Sequence, residues 1–122
     1  MSEYLVPGSR LAAASGGVTV STVYSAAYYT EIHRMIIANV DASAHAFTVY
    51  HTELTDGAGT AMYTTTRALF YQSRISANAT LQIDSQHIGG GISMAPGERI
   101  GFFCDNTAAC NLFLYGTTRA AR

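Results

Sequence analysis

The chain has 122 residues, of which 48% are hydrophobic and only 12% are charged, and its formal net charge is −1. All seven basic residues are arginines and they form no cluster, which argues against binding to a nucleic-acid backbone. A chain of this length is expected to form one domain. No apolar run approaches ~18 residues, so we expect no membrane partner.

The charged fraction is about half of the ~25% that is usual in soluble domains. The surface must therefore consist mostly of Ser, Thr, Ala, Asn, Gln and Tyr. Such a composition is typical of interfaces, which are depleted in Lys and Glu and enriched in Tyr and Arg. The alternative is an extracellular β-domain that is poor in lysine.

Residues 1–17 are predicted to be an extended arm rather than part of the core. Pro7-Gly8 breaks any regular element, and Gly16-Gly17 provides a hinge. The sizeable apolar side chains of the arm are Tyr4, Leu5, Val6 and Leu11. They are too few to order the segment alone, so we expect a partner to order it. The alternative is a frayed terminus.

Residues 30–52 are the stretch around which the rest of the chain is organised. Two apolar runs, residues 32–38 and 46–50, are rich in β-branched and aromatic side chains and are separated by a polar turn. We interpret them as an antiparallel hairpin. The first run is apolar on both faces, which predicts a central strand that is covered twice.

Further strands are predicted at residues 18–24, 67–75, 80–84, around Ile92, and at 99–104 and 110–115. We interpret the last two as a closing hairpin. About eight short strands without a credible helix predict an all-β, antiparallel sandwich or barrel over residues 18–116, followed by a polar tail at 117–122. The predicted core comprises Ile36, Val49, Leu69, Leu81, Ile100, Phe102, Leu112 and Leu114.

Two cysteines flank five residues of the closing hairpin. Cys104 and Cys110 could face one another across it, so a disulfide is geometrically possible. Because residues 1–17 lack the pattern of a secretory signal, we expect two buried free thiols instead.

Three motifs resemble a pattern in small virion proteins of tailed bacteriophages: MIIANVD at residues 35–41 with the strand at 46–50, MAPGERI at 94–100, and NLFLYG at 111–116. The resemblance covers residues 30–116 except 55–75. It implies a jelly-roll that serves as a head decoration or cement protein, a head fibre, or a tail-tip or receptor-binding piece.

No constellation of residues indicates chemistry, so we expect no catalytic residue, no metal and no cofactor. His51-Thr52-Glu53 lacks the closely spaced cysteine pair of zinc deaminases. His33 and His51 could meet across the hairpin, but two histidines alone seldom form a metal site. Gly89-Gly90-Gly91 is not followed by the Lys-Ser or Lys-Thr of a phosphate loop.

The resulting hypothesis is a non-enzymatic phage structural protein that decorates the head as a homo-oligomer, with a trimer favoured by analogy. Its partners would be itself and a major capsid or other virion protein, after assembly in the cytoplasm of a host bacterium. Predicted interface residues are Tyr4, Leu5, Val6, Leu11, Tyr28 and Tyr29. The alternative is a tail-tip or fibre domain that binds a host receptor or glycan through Tyr28, Tyr29 and Tyr63.

Overall fold

The computed structural model describes residues 9–53, 55, 61–84 and 91–119. Within these ranges the chain forms nine strands and one 3-10 turn, Thr65–Arg67. The strands are β1 (Ser9–Ser15), β2 (Ser21–Ser25), β3 (Tyr29–Asn39), β4 (His45–Thr52), β5 (Ala68–Ile75), β6 (Thr80–Asp84), β7 (Ile92–Met94), β8 (Arg99–Cys104) and β9 (Cys110–Arg119).

The strands form two antiparallel sheets that pack face to face as a sandwich. The first sheet has the order β1-β9-β3-β6, with β7 also paired to β3, and the second has the order β2-β8-β4-β5. Chain-adjacent strands therefore repeatedly lie in opposite sheets, which is the strand arrangement of a jelly roll. The predicted fold class is confirmed.

Both predicted hairpins are wrong, because the strands of each pair belong to different sheets. β3 pairs with β9, β6 and β7, whereas β4 pairs with β5 and β8. Likewise β8 pairs with β2 and β4, and β9 pairs with β1 and β3. A short polar connection can close a hairpin or cross from one sheet to the other, and the local sequence does not distinguish the two.

The set of alternate side chains of β3 that faces the core changes along the strand. Ile32, Met35 and Ile37 are fully buried, although Ile32 and Met35 are three residues apart. The register against β9 shifts between Ile32 and Arg34, so one extra residue is accommodated there as a β-bulge. As a result Ile36, which was expected in the core, points to the other face and is only half-buried.

Five of the eight predicted core residues are fully buried: Val49, Ile100, Phe102, Leu112 and Leu114. The prediction was wrong for Leu69 and Leu81, each of which is 38% exposed. Leu81 pairs with the core residue Ile37 but lies on the edge strand β6, where little covers it.

Leu69 is exposed because β5 is an edge strand with two register shifts against β4. Phe70 and Ser73 both pair with core-facing residues of β4, which breaks the simple alternation assumed from the sequence. Gln72 between them has a positive φ of 49°. Bulges of this kind are common where an edge strand must be bent away from further pairing.

The segment predicted to be an arm lies partly in the first sheet. Residues 9–15 form β1, an edge strand paired with β9, and Leu11 packs against the core. Residues 1–8 lie outside the described residues. At the other end β9 continues to Arg119, so three residues of the predicted polar tail belong to the sheet.

Asn39 joins the loops at one end of the sandwich. The side chain is 2% exposed, and its Nδ2 donates to the carbonyl oxygens of Ser43 at 2.8 Å, Ser76 at 3.0 Å and Ile75 at 3.3 Å. Its Oδ1 accepts from the backbone N–H of Asp41 at 3.0 Å. One buried amide thus fixes the β3–β4 connection and the β5–β6 turn together.

Within the part of the chain that the structure describes, no helix has the length and apolar character needed to cross a bilayer.

Candidate functional site

A surface cleft of about 510 Å³ lies where β3 begins and where β7 and β9 end. The described residues that line it are Tyr29, Thr30, Glu31, Ser93, Met94, Ala95, Glu98, Thr117, Thr118 and Arg119. Three segments that are distant in sequence therefore supply one concave surface that combines polar and apolar groups, as small-molecule sites do.

The carboxylates of the cleft have defined partners. His51 Nε2 donates to Glu98 Oε1 at 2.6 Å, and both side chains are about one quarter exposed. The hydroxyl of Ser93 lies 3.4 Å from Glu31 Oε2. Tyr29, by contrast, is 49% exposed, so much of its side chain remains accessible to a ligand.

The close approach of β3 and β9 shapes the floor of the cleft. A Cβ at Gly116 would overlap the carbonyl oxygen of Glu31, so only glycine fits at this position. The turn that carries Glu98 is held by two backbone hydrogen bonds to Ala26, at 2.8 and 2.9 Å. The cleft is therefore built on paired strands and a fixed turn.

A second polar cluster lies at the opposite end of the sandwich. His45 Nε2 donates to Asp41 Oδ2 at 2.6 Å, and His45 Nδ1 donates to Asp105 Oδ1 at 2.7 Å. Asp105 Oδ2 also accepts from the backbone N–H of Ala46 at 3.0 Å. We refer to Asp41, His45 and Asp105 as the histidine clamp, since the imidazole joins the β3–β4 and β8–β9 connections.

The geometry of the histidine clamp favours the protonated, cationic form of its imidazole. Because both ring nitrogens donate to carboxylates, both carry a proton. The hydrogen bond to Asp41 is the largest cause that raises the pKa of His45; desolvation opposes it, and Asp105 adds to it. The same bond chiefly lowers the pKa of Asp41. With no free ring nitrogen the imidazole cannot activate a nucleophile, so the cluster is a structural tie.

The outer face of the second sheet is partly covered by the segment before β5. The ring of Tyr63 lies over Gly101, where an added Cβ would come within 2.5 Å of it, and packs against Tyr50 with ring centroids 5.5 Å apart. Its hydroxyl hydrogen-bonds to Thr22, and Thr52 Oγ1 donates to the carbonyl oxygen of Met62 at 3.0 Å. Tyr63 is thus a packing residue and does not line the cleft.

The outer face of the first sheet carries a short apolar row. Ala13, Phe113 and Ile36 are direct cross-strand neighbours, so their side chains share one face. Arg34 and Tyr115 are paired farther along the same face, with the guanidinium 4.5 Å from the ring centroid. Phe113 and Ile36 are half-buried. We call Ala13, Phe113 and Ile36 the outer row.

The predicted interface residues fall in different places. Tyr4, Leu5 and Val6 lie outside the described residues. Leu11 is half-buried in β1, whereas Tyr28 and Tyr29 are each about half exposed. Of the three members of this set that the structure describes, Tyr29 lines the cleft.

The two cysteines lie on strands of different sheets rather than on the two arms of one hairpin. Cys104 ends β8 and Cys110 begins β9; both are fully buried and free. Burial is the largest cause that raises the pKa of the Cys110 thiol to about 12, and the neighbouring Cys104 adds to it. A thiol of that pKa is unreactive at neutral pH.

Sequence reasoning missed the histidine clamp and the cleft. Asp41 and His45 stand four residues apart in a polar connection, which is a weak signal, and Asp105 is 60 residues farther along. Among the described residues no group of three or more His, Cys, Asp or Glu side chains is arranged to hold a metal ion.

No protein-family model matches the chain, and no curated protein or solved structure gives a significant match.

Proposed function

We propose that this chain is a non-enzymatic structural protein that decorates or cements the head of a tailed bacteriophage as an oligomer. Its action is mechanical: it joins neighbouring subunits by buried area, and no bond is made or broken. The jelly-roll order of the sheets agrees with the virion proteins that the sequence motifs resemble.

The outer row is the observation that carries the proposal. Apolar side chains on the outside of a sheet stay in unfavourable contact with water unless a partner covers them. Phe113 and Ile36 are the large side chains of the outer row. The flanking residues Ser15 and Asn111 are uncharged and pair across the strands. A partly apolar row with uncharged neighbours on one side is suited to another copy of the chain, with a trimer favoured by analogy.

The test compares two double variants of matched chemistry. Ile36→Thr with Phe113→Ser removes the large apolar groups of the outer row, and Leu69→Thr with Tyr71→Ser removes exposed groups from the edge strand β5. Light scattering after gel filtration should show an oligomer for the wild type and the β5 variant, and a monomer for the outer-row variant. Circular dichroism and thermal melts should show all three to be folded.

Two results would contradict the proposal. In the first, the wild type is a monomer both in solution and when bound to its particle. In the second, the outer-row variant assembles and attaches to the particle as well as the β5 variant does.

A second function, recognition of a host receptor or glycan by a tail-tip or fibre domain, is favoured by the cleft. Of the three tyrosines suggested by the sequence, Tyr29 lines it, Tyr28 is exposed beside it in the chain, and Tyr63 is packed elsewhere. Binding of the isolated domain to host cells, with loss of binding on substitution in the cleft, would support this function.

A further inference from the structure

We propose that the cleft formed by β3, β7 and β9 binds an uncharged saccharide. This inference rests on the second proposed function and adds the binding site, the chemical class of the ligand and the residues that contact it. The volume of about 510 Å³ lies within the ~300–1,000 Å³ typical of ligand sites and has room for one or two sugar rings.

The charges of the cleft disfavour an ionic ligand. Glu31 and Glu98 contribute two negative charges and Arg119 contributes one positive charge, so an anion would meet a net charge of −1. A cation would have to lie near Arg119, and Glu98 already accepts a hydrogen bond from His51 at 2.6 Å. A cleft that holds charges of both signs and a small net charge has little preference for a simple anion or cation, and a neutral ligand with many hydrogen-bonding groups fits it.

The polar groups match the hydroxyls of a sugar ring. The carboxylate of Glu31 can accept hydrogen bonds from ligand hydroxyls, and Arg119 can donate to ring and hydroxyl oxygens. The hydroxyls of Ser93, Thr117 and Thr118 can do both. Such a mixed set of donors and acceptors is unusual for an apolar ligand, which would leave several of them unpaired.

The apolar groups match the C–H face of the same ring. Tyr29 is about half exposed, and the exposed Ala95 adds apolar surface at the turn after β7, whereas Met94 is almost fully buried beneath the cleft. An aromatic side chain surrounded by polar groups can therefore contact both the C–H face and the hydroxyls of a saccharide. Tyr28 is the matched comparison, because it is 51% exposed and adjacent in the chain but does not line the cleft.

The experiment is a titration of the ¹⁵N-labelled full chain, followed by two-dimensional NMR, with glucose, galactose, mannose, rhamnose and N-acetylglucosamine at millimolar concentrations. Choline and N-acetylneuraminic acid are the charged probes. At least one uncharged sugar should shift the amide signals of the first residues of β3, of β7 and of the last residues of β9. Tyr29→Ala should weaken its binding about tenfold, and Tyr28→Ala should leave it unchanged.

The inference is overturned if no uncharged sugar shifts these signals, if only a charged probe does so, or if both tyrosine variants bind equally. A Glu31→Gln variant, which keeps the size of the side chain, should also weaken binding, and unchanged binding would argue against the assigned contact. These outcomes are separate from the proposed virion role, since the isolated chain is titrated and no particle is needed.

Discussion

Replacing Asn39 by alanine should destabilise the fold strongly, although the residue is small and lies at the end of a strand. The side chain has two N–H donors and one acceptor oxygen, and all are used by backbone groups of two loops. At ~0.5–1.5 kcal/mol for each hydrogen bond, with partners left partly buried, the loss is about 2–4 kcal/mol. This is a large share of the ~5–15 kcal/mol that stabilises a typical domain.

The change should be visible in both chemical and thermal unfolding. For 122 residues at ~2.1 cal/mol/K per residue, a loss of this size lowers Tm by about 8–16 °C. Urea unfolding should show a lower midpoint with an unchanged slope, because the folded and unfolded surfaces stay the same. Asn39→Asp should be worse than Asn39→Ala at neutral pH, since a carboxylate would then face carbonyl oxygens.

Asn106→Ala is the control, because Asn106 is an exposed asparagine of the β8–β9 connection at the same end of the sandwich. It should lie within ~0.5 kcal/mol of the wild type, as surface substitutions usually do. If Asn39→Ala also stays within ~0.5 kcal/mol, the buried amide does not hold the loops together and the reasoning is refuted.

Three further predictions concern the core, the histidine clamp and the thiols. Leu112→Ala should cost about 2–5 kcal/mol in urea unfolding, and Leu69→Ala should cost well under half as much, because only the first creates a buried cavity. By NMR titration the imidazole of His45 should lose its proton above its ordinary pKa of 6.5. The stabilisation by charged His45 relative to His45→Gln should therefore be fully present just below pH 6.5 and should fall as the pH rises through the folded-state pKa; a difference that grows with pH would contradict it. Cys104 and Cys110 should react with a thiol reagent only after unfolding; rapid reaction of the native protein, or none when unfolded, would oppose the assignment.

Much of the strand pattern could be predicted from the sequence, because strand propensity and turn residues are local properties. The strands at residues 80–84 and 99–104 have the predicted bounds, and Phe102 and Leu114 are buried as expected. These positions lie on regular strands that are covered on the inner face, where simple alternation holds.

The local sequence could not predict which strands pair or which alternate side chains of a strand face the core. The bulge between Ile32 and Arg34 exchanges which side chains of β3 face the core, and β3 itself has no glycine or proline to mark it; the glycine at this place, Gly116, lies on the partner strand β9. The irregular edge strand β5 has the same effect on Leu69. In both cases the sheet partner decides the outcome, and partners in a jelly roll are far apart along the chain.

The two polar clusters were unpredictable for the same reason. The cleft combines the ends of three strands, and the histidine clamp joins connections that are 60 residues apart. Each of these residue types is frequent in the strands and loops of β-proteins, so no single residue signals a site. Only the pairing of strands that are distant in sequence brings Glu31 beside Ser93, through β3 and β7, and His45 near Asp105, through β4 and β8.

The measurement that tests the account most directly is electron cryomicroscopy of purified phage particles whose genome encodes this chain. We expect density for a nine-stranded jelly roll on the outer surface of the head, in an oligomer with the outer row of Ala13, Phe113 and Ile36 covered by a neighbouring subunit. Particles that lack the chain, or that carry it with the outer row facing solvent, would contradict the proposed role.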